Sequence, residues 1–281
     1  MVYEHEIPSG SKLYFGKSAK IKREVENICS GYLESQNFSE IVTPIFSYHQ
    51  QESFIDTKVL VRLNDSTNHE VSLRADSTVD VVRIVTKRLS RSEDTKRWFY
   101  IQPVFAFPTH EQYQVGAEVI DGTLEEVANL SLNILDRLNL EFNFQIANIA
   151  IANLLIKEYG FREDDIKNIK LEKILNSNYS WIESLVEVNT LEDLEDLSIY
   201  PQDLKEELIK IKDVANKIKA KNILISPLYY AQMRYYKSLV FRAFKGTKLY
   251  STGGVYSIKG INGAGFAIYT DDIISNKMQR D

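Results

Sequence analysis

Apolar residues in the first part of the chain recur at helical spacing. Ile21, Val25, Ile28, Cys29 and Tyr32 share one face of a segment from about Gly16 to Ser35, the pattern of an amphipathic helix. Phe38-Ser39-Glu40-Ile41-Val42-Thr43-Pro44 follows, where β-branched residues predict a strand and Pro44 marks its end or an edge. Lys58–Leu63 and His69–Leu73 flank the polar cluster Asn64-Asp65-Ser66-Thr67-Asn68, which predicts a hairpin. Val79, Val82 and Val85 then sit one helical turn apart, with Asp76-Ser77-Thr78 supplying cap chemistry in front of them. Trp98–Phe107 and Gln112–Ile120 read as a second strand pair joined by Pro108-Thr109-His110-Glu111. Leu124–Leu138 reads as a helix, Phe142–Ile149 as a strand and Ala150–Tyr159 as a short helix.

From Arg162 to Lys219 the character changes. Strand patterns vanish and charge rises, as in Glu163-Asp164-Asp165, Glu192-Asp193-Leu194-Glu195-Asp196 and Lys205-Glu206-Glu207, while Leu and Ile keep helical spacing. This predicts a small helical insertion over 162–219 whose charges form a solvated face. Strand patterns resume at Asn222–Ile225, Leu239–Phe244, Leu249–Gly254 and Gly263–Tyr269, a few residues before the sequence stops. Hairpins outnumber βαβ units, so the expected fold is α+β with a mostly antiparallel sheet flanked by helices. The core would comprise 1–161 and 220–281.

Composition narrows the function classes. A net charge of −5 argues against a phosphate backbone as partner, because nucleic-acid affinity comes largely from Lys and Arg displacing counterions. Cys29 is the single cysteine, which excludes an internal disulfide and a multi-cysteine zinc site. Its place on the apolar stripe suits a buried small hydrophobe. Met1-Val2-Tyr3-Glu4-His5 has neither the basic nor the apolar region of a signal peptide, so a cytoplasmic protein without membrane association is expected. Walker, dinucleotide-binding, HExxH and G-x-S-x-G patterns are absent. His5, His49, His69 and His110 have no ligand-like spacing, and neither metal nor cofactor is implied.

Four segments carry more. They are Leu73-Arg74-Ala75-Asp76-Ser77-Thr78 with its helix; Gln102-Pro103-Val104-Phe105-Ala106-Phe107-Pro108 leading to Gln114-Val115-Gly116-Ala117-Glu118-Val119-Ile120; Tyr235-Tyr236-Lys237-Ser238-Leu239-Val240-Phe241; and Gly253-Gly254-Val255-Tyr256 followed by Gly263-Ala264-Gly265-Phe266-Ala267-Ile268. In this order and spacing they resemble the catalytic core of histidyl-tRNA synthetase, a class II aminoacyl-tRNA synthetase. They resemble more closely its non-catalytic paralogue family, the regulatory subunits of ATP phosphoribosyltransferase. Ile7-Pro8-Ser9-Gly10, the first helix and Pro44 also match, Pro44 falling at the motif 1 proline. The resemblance spans nearly the whole chain outside 162–219.

Its implications differ by position. The synthetase motif 2 arginine, which grips ATP phosphate and the amino-acid carboxylate, corresponds to Ala106, and the glutamate two residues on to Pro108. The arginine five residues before the second paired tyrosine corresponds to Ala231. The motif 3 arginine corresponds to Asp272, a carboxylate where phosphate would be met. The Gly-Gly-Arg-Tyr-Asp run reads Gly253-Gly254-Val255-Tyr256-Ser257. Arginine binds phosphate through a charge-assisted fork that alanine does not replace, and one lost transition-state donor costs on the order of 10²–10³ in rate. Arg234 stands where the family has aspartate, and one cation there does not rebuild the clamp. No catalytic residue is therefore expected.

The amino-acid half of the site keeps its chemistry. The resemblance assigns Asp76 and Thr78 to the α-amino group, Gln114 and Glu118 to the histidine site, and Tyr235 and Tyr236 to the paired tyrosines. The bare residues also suit a helix cap, an outward strand face and aromatic packing. The synthetase continues into an anticodon-binding domain, for which no sequence follows here. The resemblance thus implies a non-catalytic regulatory subunit, needed for activity and histidine feedback in the first step of histidine biosynthesis. Its partners would be a short-form ATP phosphoribosyltransferase catalytic subunit, a second copy of itself around Pro44, and histidine. The alternatives are a residual amino-acid-activating enzyme and a diverged dimer that binds another protein or small ligand.

Overall fold

The computed structural model describes residues 6–231 and 233–280. The N-terminal residues read for targeting, His5 among them, lie outside the described residues. In chain order the elements begin with α1 (Gly16–Ser35), β1 (Ser39–Glu40), β2 (Phe46–Ser47), β3 (Arg62–Asn64), β4 (Glu70–Leu73) and α2 (Thr78–Ile84), the last continued by a π turn over Val85–Leu89. Then come β5 (Arg97–Ala106), β6 (His110–Ile120), α3 (Leu124–Arg137), β7 (Asn143–Asn148) and α4 (Ile149–Lys157). Short helices follow: α5 (Glu163–Lys167), α6 (Leu171–Leu175), α7 (Ile182–Glu187) and the longer α8 (Gln202–Ala215). The chain closes with β8 (Ile223–Ile225), β9 (Tyr236–Lys245), β10 (Lys248–Ile258), β11 (Ile261–Tyr269) and α9 (Thr270–Arg280).

Eight strands form one sheet in the order β1-β5-β6-β11-β10-β9-β7-β8. Its pairings are antiparallel except at the two edges, where β1 runs parallel to β5 and β8 to β7. The fold is the expected α+β architecture with a mostly antiparallel sheet. Alternation along the strands sends Val115, Ala117 and Val119 of β6, and Ala264, Phe266 and Ile268 of β11, into the main apolar core. That core also takes Val25, Cys29 and Leu33 of α1 and Leu130, Ile134 and Leu135 of α3. Residues of 162–219, including Ile166, Leu185, Leu204 and Ile211, join the same cluster. The opposite face of the sheet presents Gln114, Gly116 and Glu118, with α2 packed against β6.

Three expectations shift. The strand expected over Phe38–Pro44 shrinks to β1, because after Ile41 donates to the Phe99 carbonyl at 2.8 Å the chain turns away. The carbonyls of Thr43 and Pro44 then accept from the Arg74 guanidinium at 2.8 and 3.1 Å. The first arm of the hairpin is also shorter, since Asp56 Oδ1 accepts from Lys58 N at 2.9 Å and winds residues 57–59 into a helical turn. Finally, α9 has no counterpart among the expected elements. It packs against α1, and Tyr14 anchors it through Asp271 Oδ1 at 2.5 Å. The Cys29 thiol is fully buried, and that burial pushes its pKa up to about 12, so it behaves as a hydrophobe.

Candidate functional site

The turn before α2 is fixed by Gln50, which is fully buried. Its Oε1 accepts from Ala75 N at 2.8 Å and Asp76 N at 2.7 Å, while Nε2 donates to Asp76 O at 2.9 Å and Asp80 Oδ2 at 2.7 Å. Arg74, 2% exposed, points the other way and clamps Thr43, Pro44 and Pro103 through their carbonyls. Asp76 is thereby held with its carboxylate inward. Oδ1 accepts from Tyr235 OH at 3.0 Å, and Oδ2 accepts from Ser53 Oγ at 3.1 Å and Val79 N at 3.3 Å. Asp76 thus caps α2 and also belongs to a buried polar network. Ser77, at the N-cap position, instead offers its Oγ to Gln102 Nε2 at 2.9 Å and Gln114 Nε2 at 3.3 Å.

Above this turn lies a cavity of about 90 Å³ whose lining includes Asp76, Thr78, Gln114, Tyr235 and Tyr236. Glu118 is the remaining residue assigned to this site. It is 1% exposed and sits behind the lining, accepting from Thr78 Oγ1 at 2.8 Å through Oε1. Its other oxygen, Oε2, and the Tyr256 hydroxyl make no hydrogen bond of good geometry, although the Tyr256 and Tyr100 hydroxyls lie near enough to the carboxyl to favour its ionised form. The carboxyl has room only because its cross-strand neighbour is glycine, since a Cβ on Gly265 would lie 2.0 Å from Oε2. Gly116 likewise makes room for the buried Tyr100 ring, 2.2 Å from where its Cβ would be.

Burial raises both acids. Glu118 moves up to about 8, mainly by loss of water, with the neighbouring Asp76 charge adding to the rise and the Thr78 hydrogen bond opposing it. Asp76 moves up to about 6 for the same first reason, opposed by its bonds to Tyr235, Val79 and Ser53. Such a pair favours an incoming cation or N–H donor, which would let the carboxyls ionise.

A second cavity of about 380 Å³ adjoins the first and shares Met233, Tyr236, Thr252 and Tyr269 with it. Ala231 lines this one at 7% exposure and packs with Ala147, Ile149 and Val240. Asp272 lines neither cavity. Its Oδ2 accepts from Leu249 N at 2.9 Å, so the carboxylate expected to face a phosphate site is instead turned onto the start of β10. Val255 packs against the main core, Ser257 N donates to Tyr235 O at 3.1 Å, and Ala106 ends β5 opposite His110. Arg234 turns outward, with Nη2 donating to Ile55 O at 3.2 Å. Sequence reasoning missed Gln50, Ser53, Tyr100, Tyr269 and Arg242. Local pattern carries no signal for the first two, which approach from a separate loop, whereas Arg242 follows directly on the Tyr235–Phe241 segment.

A histidyl-tRNA synthetase family model matches residues 15–273. An ATP phosphoribosyltransferase regulatory subunit of Wolinella succinogenes is 38% identical, covering 100% of this chain and 99% of that protein. Its counterpart in Helicobacter hepaticus is 39% identical over 98% of each. A histidine–tRNA ligase of Methanococcus aeolicus is 25% identical, and the match covers 96% of this chain and 76% of the ligase. Among solved structures, an ATP phosphoribosyltransferase regulatory subunit/histidyl-tRNA synthetase from Bacillus halodurans superposes with a TM-score of 0.85 at 19% identity, covering 98% of this chain and 84% of that one. A histidine–tRNA ligase subunit of Alicyclobacillus acidocaldarius gives 0.80 at 16% identity with complete coverage of both. With a histidyl-tRNA synthetase-like fold and end-to-end similarity to two regulatory subunits, the chain belongs to the family of ATP phosphoribosyltransferase regulatory subunits.

Proposed function

We propose that this chain is a non-catalytic subunit that partners a short-form ATP phosphoribosyltransferase catalytic subunit, sustains its activity and conveys histidine feedback to it. The observation that carries this reading is the buried acidic pair Asp76 and Glu118 beside a small cavity with no Arg or Lys among its described lining residues. That chemistry favours an ammonium or imidazole group and disfavours a triphosphate. The alanines at 106 and 231 and the engaged Asp272 leave ATP without the arginine fork that adenylation requires.

Dimerisation around Pro44 belongs to the same proposal. Val42, at 75% exposure, and Phe46, at 57%, stand with Ile45 and Tyr48 as exposed large hydrophobics in this segment, and such a patch marks an interaction surface. The helices between 162 and 219 are proposed as an insertion into the synthetase-like core. Differential affinity of histidine for two states of the assembly would supply the feedback.

Co-purification with a short-form catalytic subunit, followed by a phosphoribosyl transfer assay with and without histidine, tests the reading. Complex formation, activation and inhibition by histidine are expected, and no ATP–pyrophosphate exchange with any amino acid. Failure to bind or activate the catalytic subunit, or measurable exchange, would overturn it.

A further inference from the structure

The two cavities share one face of the sheet, and a single cross-strand row runs beneath them. Tyr100, Gly116, Ala267, Thr252, Arg242 and Gln145 are successive Cα partners from β5 to β7. The adjacent row runs Glu118, Gly265, Gly254 and Val240. The acidic end therefore stands on β6 and Arg242 on β9, three strand spacings or about 14 Å apart between backbones. Glycine, alanine and threonine lie between them in these rows, and the two cavities meet over that stretch at Met233, Tyr236, Thr252 and Tyr269.

Arg242 is the one cation among the described residues lining either cavity. Its guanidinium lies over the rings of Tyr229, 5.2 Å from the centroid, and Phe244, 5.6 Å away. Its side chain makes one long hydrogen bond, from Nη1 to Gln145 Oε1 at 3.5 Å. Among the described residues no carboxylate lies within ion-pair distance of it. A guanidinium has five donors in a fixed fork, so most of its capacity is uncommitted while aromatic faces hold its plane.

We propose that Arg242 binds the carboxylate of the amino acid whose cationic end is held by Asp76 and Glu118, performing from β9 the task for which Ala231 has no side chain. This rests on the reading of the site as a histidine pocket. A bidentate fork on a carboxylate would give the ligand both orientation and selectivity for a free α-carboxyl group.

Calorimetry of the full chain with L-histidine and with L-histidinol, in which a hydroxymethyl group replaces the carboxylate, tests the assignment. Wild type should bind histidine about 10- to 100-fold more tightly than histidinol, the range for a charge-assisted hydrogen bond. Arg242→Gln should bring histidine down to the histidinol level and leave histidinol binding unchanged, which also verifies that the variant is folded. Arg242→Lys should restore part of the preference. Equal binding of the two ligands by wild type, or an intact preference in Arg242→Gln, would overturn the assignment while the histidine pocket stands. If wild type binds neither ligand, the pocket reading fails and the assignment with it.

Discussion

The β6 end and the β9 end of the same sheet face have been built by opposite means. At the β6 end, buried polar groups are tied to one another, from Arg74 and Gln50 through Asp76, Tyr235 and Thr78 to Glu118. At the β9 end, apolar and aromatic packing prevails. Ala231 fills an apolar contact there, while Asp272, away from both cavities on α9, holds the Leu249 amide. Polar networks are stable only when nearly every member is satisfied, so the first end is specified residue by residue. The second is held by apolar and aromatic packing and carries its one cation, Arg242, over two rings.

The sharpest way to break this comparison is Arg74→Met. It leaves the carbonyls of Thr43, Pro44 and Pro103 short of their donor, and loss of stability on the order of 4 kcal/mol is expected in urea unfolding. Next comes Gly265→Ala, whose methyl would overlap the Glu118 carboxyl and the Ala117 carbonyl. A loss of about 2–3 kcal/mol is expected, together with loss of any ligand held at the acidic end. A loss below about 0.5 kcal/mol would mean that the strand shifts freely, contrary to the close packing described.

The titration of Glu118 gives a smaller effect with a definite sign. Its folded pKa is raised from 4.5 to about 8, so its neutral form contributes stability that is complete below 4.5 and withdrawn as pH rises through 8. Asp76 adds a similar decline up to about 6. Wild type should therefore lose stability as pH rises from 5 to 9, and Glu118→Gln should remove most of that slope. Parallel slopes in the two proteins would remove Glu118 as the source. The smallest effect is on α9, outside both cavities. Asp272→Ala removes one acceptor from Leu249 N and should cost about 1 kcal/mol. A cost comparable with that of Arg74→Met would put the Asp272–Leu249 contact on a par with the buried network at the β6 end.

Long periodic elements were legible because burial imposes its period on them. The helix expected from Gly16 to Ser35 has those bounds in the structure, and the paired strands of the central sheet lie within a few residues of expectation. Short edge elements were not. β1 ends early because Arg74, distant in sequence, captures the carbonyls of Thr43 and Pro44 just beyond it. α9 was missed because its start is fixed by partners distant in sequence, Tyr14 on Asp271 and Leu249 on Asp272. The same reason hid part of the site. Asp76, Thr78, Gln114, Tyr235 and Tyr236 sat in recognisable segments and line one cavity. Gln50 and Ser53 act through a loop with no pattern of its own.

The glycine beneath the Glu118 carboxyl has a consequence for how this sequence drifts. In a randomised library selected for folding alone, Gly265 should return as glycine, since any side chain there meets the wall opposite. Glu118 should drift away, because a neutral residue of similar size would relieve a buried acid that has one oxygen unmatched. Selection for ligand binding should hold both. The two neighbours therefore form a built-in gauge: sequencing such libraries would separate what the fold needs for shape from what ligand binding needs.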